Sequence, residues 1–191
     1  MENSKARIKY IHKCVQLWYC CDEGDEGDEA KPLDFEKMPV SRKNLIRLLD
    51  SGVSPNSYFK RVVPIHFSAE WFNLEPLQLL IDYGADPKLR VQPMTEEEIE
   101  QDKKDEPCEY GSNRRWHQIN DGNNALHLIL HDVTDSWNHN NEHGIACMKI
   151  ILDKDPSVIH IKNAHGLTPW DMVKDSEAPN TKMKSIMEGY M

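Results

Sequence analysis

The chain contains no run approaching the ~18 consecutive apolar residues that a membrane span requires. No export signal is expected at its start. Residues 1–21, MENSKARIKYIHKCVQLWYCC, join basic residues to an apolar patch, but Lys9, His12, Lys13 and Gln16 interrupt any signal-peptide core. Cysteine is scarce: Cys14, Cys20, Cys21, Cys108 and Cys147 are odd in number and show no framework spacing. Adjacent residues such as Cys20 and Cys21 are poorly placed to chelate one ion, so reduced thiols in a cytoplasmic setting are expected. Positive charge is also in deficit. Lys plus Arg total 23 against 32 Asp plus Glu, a net charge of −9, and the isoelectric point is near 5.4. A general phosphate-backbone binder needs the opposite sign, which excludes nonspecific nucleic-acid binding. No GxSxG, HExxH, Walker-type or GxGxxG stretch is present, so neither a catalytic residue nor a cofactor is expected.

What is present fits one ordinary domain. A chain of 191 residues can bury roughly 70% of its unfolded surface without a metal or disulfide staple. Its hydrophobic fraction of 39% and mean hydropathy of −0.69 imply a thin core under much solvated surface. Residues 5–20 place Ile8, Ile11, Val15, Leu17 and Trp18 at helical intervals, which predicts an amphipathic helix. DEGDEGDE at 22–29 sets like charges beside glycines and reads as a solvated acidic loop, since its ligand order is not that of a calcium loop. A second polar stretch covers 95–115, where Thr95 with Glu98 can open a short helix.

The chain repeats itself. LIRLLDSGVSPN (45–56) and LQLLIDYGADPK (77–88) align without a gap, placing Gly52 and Gly84 at the same point, 32 residues apart. Each reads as a short helix closed by a glycine in the left-handed C-terminal position. DGNNALHLIL (121–130) and HGLTPWDMVK (165–174) match each other as helix openings, with Pro169 in a first turn. VPIHFSAEW (63–71) has the same character.

These segments resemble ankyrin repeats, whose unit of ~33 residues carries a TPLH-type opening and, later, paired leucines and GAD. Val63-Pro64-Ile65-His66 stands at the opening, and Leu80-Ile81 with Gly84-Ala85-Asp86 follows at ungapped spacing. Asn124-Ala125-Leu126-His127 and Thr168-Pro169-Trp170-Asp171 open later units. The resemblance implies an all-α fold: a solenoid of helix-turn-helix units with β-hairpin-like loops, an N-terminal helix and a short C-terminal cap at TKMKSIME. Residues 1–30 would hold the N-terminal helix and acidic loop, and 31–191 the repeat domain. Its units would fall at about 31–57, 58–90, 119–162 and 163–191, with an insertion at about 91–118. The pattern departs from the family at Lys31-Pro32-Leu33-Asp34, where Pro39 would shorten the first helix, so that 5–20 can serve as the inner partner instead. Arg61 and Asp155 stand where glycine is usual.

The residues offer three chemical alternatives. His139, His143 and Cys147 are spaced four apart near His131, as metal ligands on one helix would be, but the intervening asparagines favour a loop before a helix starting near Gly144 or Ile145. No metal is expected. Cys147 falls in the apolar pattern of Ile145, Met148, Ile151 and Leu152, which favours packing over nucleophilic use. The competing functional class is an enzyme or metal-dependent protein with a site built from insertions 91–118 and 131–144.

The resemblance implies instead a noncatalytic protein-binding module that sequesters, scaffolds or inhibits a partner protein, as a monomer or within a hetero-complex. Short irregular arrays of this kind occur among interference proteins of bacteria and viruses that act inside a host cell. By family position, the hairpin tips are Phe59, Lys60 and Val62, then Asn120, Asp121 and Asn123, then Ala164, His165 and Leu167. The inner-helix ends are Glu70 and Trp71, then His131 and Asp132, then Asp175 and Ser176. Arg114, Arg115, Trp116 and Trp137 lie in the insertions, as contacts or as anchors. The net negative charge favours a partner with a basic patch.

Overall fold

A computed structural model describes residues 2–16, 42–97, 121–134, 142–175 and 181–191. The chain is mostly helical. Its helices are α1 (Glu2–Gln16), α2 (Arg42–Asp50), α3 (Pro64–Glu70), α4 (Leu74–Asp82), α5 (Ala125–Thr134), α6 (Glu142–Lys154), α7 (Pro169–Val173) and α8 (Thr181–Glu188), with a 3-10 turn at Pro156–His160. Among the described residues the nearest thing to a strand is an isolated antiparallel bridge between Phe59 and Val62.

Short amphipathic helices cannot stand alone in water, so each is held by packing. The apolar stripes decide the arrangement. α1 packs on α2, α3 on α4, α5 on α6 and α7 on α8. The first members of these pairs also pack in sequence, α1 on α3, α3 on α5 and α5 on α7. Among the second members, α4 packs on α6 and α6 on α8. Two helical layers result, α1-α3-α5-α7 and α2-α4-α6-α8. The core runs between them as one continuous cluster that includes Ile11, Leu45, Ile65, Leu77, Leu80, Leu126, Ile129, Met148, Ile151 and Met187.

Local chemistry sets the helix ends. Gly52 and Gly84 sit at φ +85° and +88° after α2 and α4, the conformation that closes a helix and that side chains disfavour. Thr168 caps α7 reciprocally: its Oγ1 accepts from the Asp171 N–H at 3.1 Å, and the Asp171 carboxylate accepts from the Thr168 N–H at 2.9 Å. Lys174 and Thr168 hold that carboxylate well below the usual carboxylate range. Thr168→Ala is therefore expected to cost about 1 kcal/mol, measured by urea denaturation.

Polar side chains tie neighbouring loops. Tyr58 donates its hydroxyl to the Arg90 carbonyl at 2.9 Å, and Arg90 donates onward to the Lys162 carbonyl at 3.2 Å. Asn56 spans to Gly84 and Asp86, and Lys88 pairs with Asp155 at 2.8 Å. In the second layer the Tyr83 hydroxyl donates to Asp50 at 2.6 Å, and Tyr190 makes the corresponding bond to Asp153.

Three local features differ from the aligned pattern. The left-handed residue of the first loop is Lys60, at φ +54°, and not the neighbouring Arg61 that aligns with glycine. Asp155, also aligned with glycine, is extended at φ −158° and caps the 3-10 turn by accepting from the Ser157 N–H. Helix α6 begins at Glu142, ahead of the expected start near Gly144 or Ile145.

Candidate functional site

Three buried histidines organise the first layer. His66 lies on α3; its Nδ1 accepts from the Val63 N–H at 3.3 Å. Nε2 must then carry the proton, and it donates to the Leu89 carbonyl at 3.0 Å. His127 on α5 repeats the arrangement, with Nδ1 accepting from the Asn124 N–H at 3.2 Å and Nε2 lying 3.0 Å from the Leu167 carbonyl. His12 on α1 reaches the Ser57 carbonyl at 3.0 Å, and its ring sits between Phe59 and Phe67, with centroids at 5.6 and 5.9 Å. Each ring therefore ties its own helix to the loop that leads into, or away toward, the next one. Burial lowers all three from 6.5 to about 4, against the raising effect of the carbonyl bond each makes. They are neutral structural groups at pH 7.

A second device closes the longest insertion. The Val91 N–H donates to the Asn123 carbonyl at 2.8 Å, and the Gly122 N–H returns to the Val91 carbonyl at 2.9 Å. Arg61, 7% exposed, donates its Nε to the Gln92 carbonyl at 2.7 Å, and its guanidinium pairs with Asp121. The Gln92 N–H donates to the Arg61 carbonyl at 2.8 Å. The two ends of the 91–122 segment are thus held together by backbone bonds and one buried cation.

The partner-contact residues fall into distinct environments. Trp71 is 58% exposed just beyond α3, and the next residue, Phe72, is buried at φ +52°. Left-handed backbone is costly for a non-glycine residue. Here it turns Phe72 into the core and leaves Trp71 in solvent. Lys60 is exposed on its own left-handed turn, and His165 is exposed with its N–H donating to Asn163 Oδ1 at 3.0 Å. Phe59 is half-buried against His12. Glu70 and His131 are half-buried and engaged within the chain. Asp121 is committed to Arg61.

Two of these residues are buried. Val62 is 9% exposed and pairs through its backbone with Phe59. Asn123 is 2% exposed, with its Oδ1 accepting from Asn163 at 2.9 Å. Both face inward and hold their loops together. Asp132 belongs to α5, but its side chain lies outside the described residues, as do Arg114, Arg115, Trp116, Asn120, Trp137 and Ser176. The acidic stretch 22–29, most of insertion 91–118 and residues 135–141 of the second insertion lie outside them too.

Cys147 is fully buried, and burial pushes its thiol up to about 12, so it carries no thiolate at neutral pH. His143 is exposed while Cys147 is buried, so the two do not face one site. Among the described residues no three His, Cys, Asp or Glu side chains gather as metal ligands. A cleft of about 440 Å³ opens between α1 and the turn after α2, lined by Arg7, Ile8, Ser51, Gly52, Val53, Ser54 and Ser57. No described helix is long and apolar enough to cross a membrane.

Sequence reasoning missed His12 and the Arg61 clamp. Ile11-His12 followed by Cys14-Val15 matches Ile65-His66 followed by Ser68-Ala69, a signal visible only once α1 is aligned with α3. Arg61 carried no signal, because its partners stand 31 residues away at Gln92 and across the insertion at Asp121. No family model matches the chain, and no curated protein does so either.

Proposed function

We propose that this chain is a noncatalytic protein-binding scaffold with an irregular ankyrin-type architecture. The helix pairs supply the rigid support, and the surface that turns outward from the first layer engages another protein. The exposed Trp71 carries this reading: an indole held in solvent by the left-handed backbone of Phe72. Exposed tryptophan is enriched where binding energy concentrates, and a strained backbone persists where the surrounding structure over-determines it. Support for the architecture comes from the paired layers, the glycines 32 residues apart in one conformation, and the repeated histidine-to-carbonyl ties. Lys60 and His165 are likewise exposed on loops that precede α3 and α7.

Trp71→Ala is expected to leave stability within about 0.5 kcal/mol of wild type, because the side chain is mostly in solvent. In a quantitative pulldown from native lysate it should lose, by at least about tenfold, the protein that wild type enriches. Equal capture by both proteins would remove Trp71 from the interface and sink the reading.

A further inference from the structure

Helix α1 presents Lys5, Lys9 and Lys13 at successive i, i+4 positions, on one face. Lys5 and Lys9 are exposed and Lys13 is half-buried. The opposite face sends Tyr10, Ile11, Cys14 and Val15 into the core. The stripe spans roughly 12 Å at a rise of 1.5 Å per residue.

Three exposed cations elsewhere in the fold pair with carboxylates. Arg42 pairs with Glu75 at 2.7 Å, Lys88 with Asp155 at 2.8 Å and Lys174 with Asp171 at 2.8 Å. Lys5, Lys9 and Lys13 make no such pair among the described residues. Their arrangement works against the helix that carries them. Like charges at i, i+4 repel, and Lys5, near the N-terminal end, opposes the helix macrodipole, which Lys13 in the last turn complements. The one acidic residue of α1 is Glu2. A carboxylate at position 9 would turn both repulsions into attractions, in a chain otherwise rich in acid.

We propose that the Lys5–Lys9–Lys13 face docks a short acidic segment of a partner protein, with carboxylates repeating at about one helical turn. The face lies on α1, whereas Trp71 lies just beyond α3. An acidic peptide is favoured over a phosphate polymer or an anionic bilayer for two reasons. The chain's net charge of −9 repels an extended polyanion more than a few local charges. The apolar side of α1 is already buried in the fold and has nothing left to insert into lipid.

Full-length protein is titrated into fluorescein-labelled octaglutamate, with octaglutamine, a twelve-nucleotide oligothymidylate and phosphatidylserine vesicles as parallel probes. Saturable octaglutamate binding that weakens steeply with salt is expected. Lys5→Gln/Lys9→Gln/Lys13→Gln should weaken it at least tenfold, and Lys5→Glu/Lys9→Glu/Lys13→Glu should abolish it, with helical circular dichroism retained by the glutamine variant. Lys149→Glu/Lys182→Glu, which changes exposed lysines elsewhere, should lose less than threefold. Trp71→Ala should bind octaglutamate as wild type does, so failure of the scaffold reading would not mimic failure here. Absent binding, equal loss in the control variant, or tighter binding of oligothymidylate or vesicles would overturn the proposal. So would a carbodiimide cross-link from these lysines to residues 22–29 of the same chain together with no peptide binding.

Discussion

Acidification from pH 7.5 is expected to unfold the protein cooperatively near pH 5, with the helical signal at 222 nm largely lost by pH 4. The cause is the trio His12, His66 and His127, each lowered from 6.5 to about 4 by burial. A base whose folded pKa lies below its unfolded value binds protons preferentially in the unfolded chain. Its stabilising contribution is complete above 6.5 and falls away as the pH drops toward 4. At pH 5 the gap is about 1.5 units, or about 2 kcal/mol for each ring. Three rings give about 6 kcal/mol, comparable with the whole stability of a typical domain. For two of the rings the geometry gives the same sign. Protonating Nδ1 of His66 would set an N–H against the Val63 N–H, and among the described residues Nδ1 of His12 has no hydrogen-bond partner to receive the new proton. The lowered carboxylates, Asp155 at about 2 and Asp171 lower still, lose their contributions only below their ordinary value of 3.8. The transition above pH 4 is therefore assigned to the imidazoles. Unchanged ellipticity down to pH 4 would refute the assignment.

Gly122→Ala is expected to destabilise by about 3 kcal/mol, far more than the same change at Gly84. Gly122 has φ +73°, and a Cβ there would stand 2.5 Å from the Ala164 nitrogen and 3.1 Å from the Asn163 carbonyl carbon. Those atoms are backbone and cannot swing aside. Gly84, at φ +88°, has nothing within 4 Å of the same added atom. Both substitutions carry the left-handed penalty of about 1–2 kcal/mol, and only Gly122→Ala adds overpacking, typically about 1–3 kcal/mol. The approach is itself held by hydrogen bonds, Ala164 N–H to the Asp121 carbonyl at 3.1 Å and Gly122 N–H to the Val91 carbonyl at 2.9 Å. Urea denaturation of the two variants isolates the clash from the conformational penalty. Equal losses would show that the loops separate to admit a methyl group.

Much of the helical framework was legible because its signals are local. Gly52 and Gly84 share a conformation as well as a spacing, and Pro64 and Pro169 open their helices where the sequence put them. His66 and His127 were visible through their neighbours. His12 was not: residues 5–20 read as an alternative inner partner, and α1 does pack on both α2 and α3, but no opening motif marks the histidine. The surface was less legible than the core. Trp71 could be exposed or packed on sequence grounds, and the turn at Phe72 decides it. Val62 and Asn123 occupy loop positions beside exposed residues yet point inward, because alternate positions of a tight loop face opposite sides and sequence does not say which. The Arg61–Asp121 pair depends on a chain reversal that no local pattern encodes.

That reversal has a consequence for how such a chain can change. Val91 and Gly122 are joined by a 2.9 Å hydrogen bond, so the segment between them starts and ends at one point of the fold. Its length is then nearly invisible to the helices on either side. Closing a loop twice as long costs only about 0.6 kcal/mol more. This junction is therefore a natural splice point. Sequence between Gln92 and Asp121 can be lengthened, exchanged or diversified over generations, or grafted by an engineer, while the scaffold keeps its register.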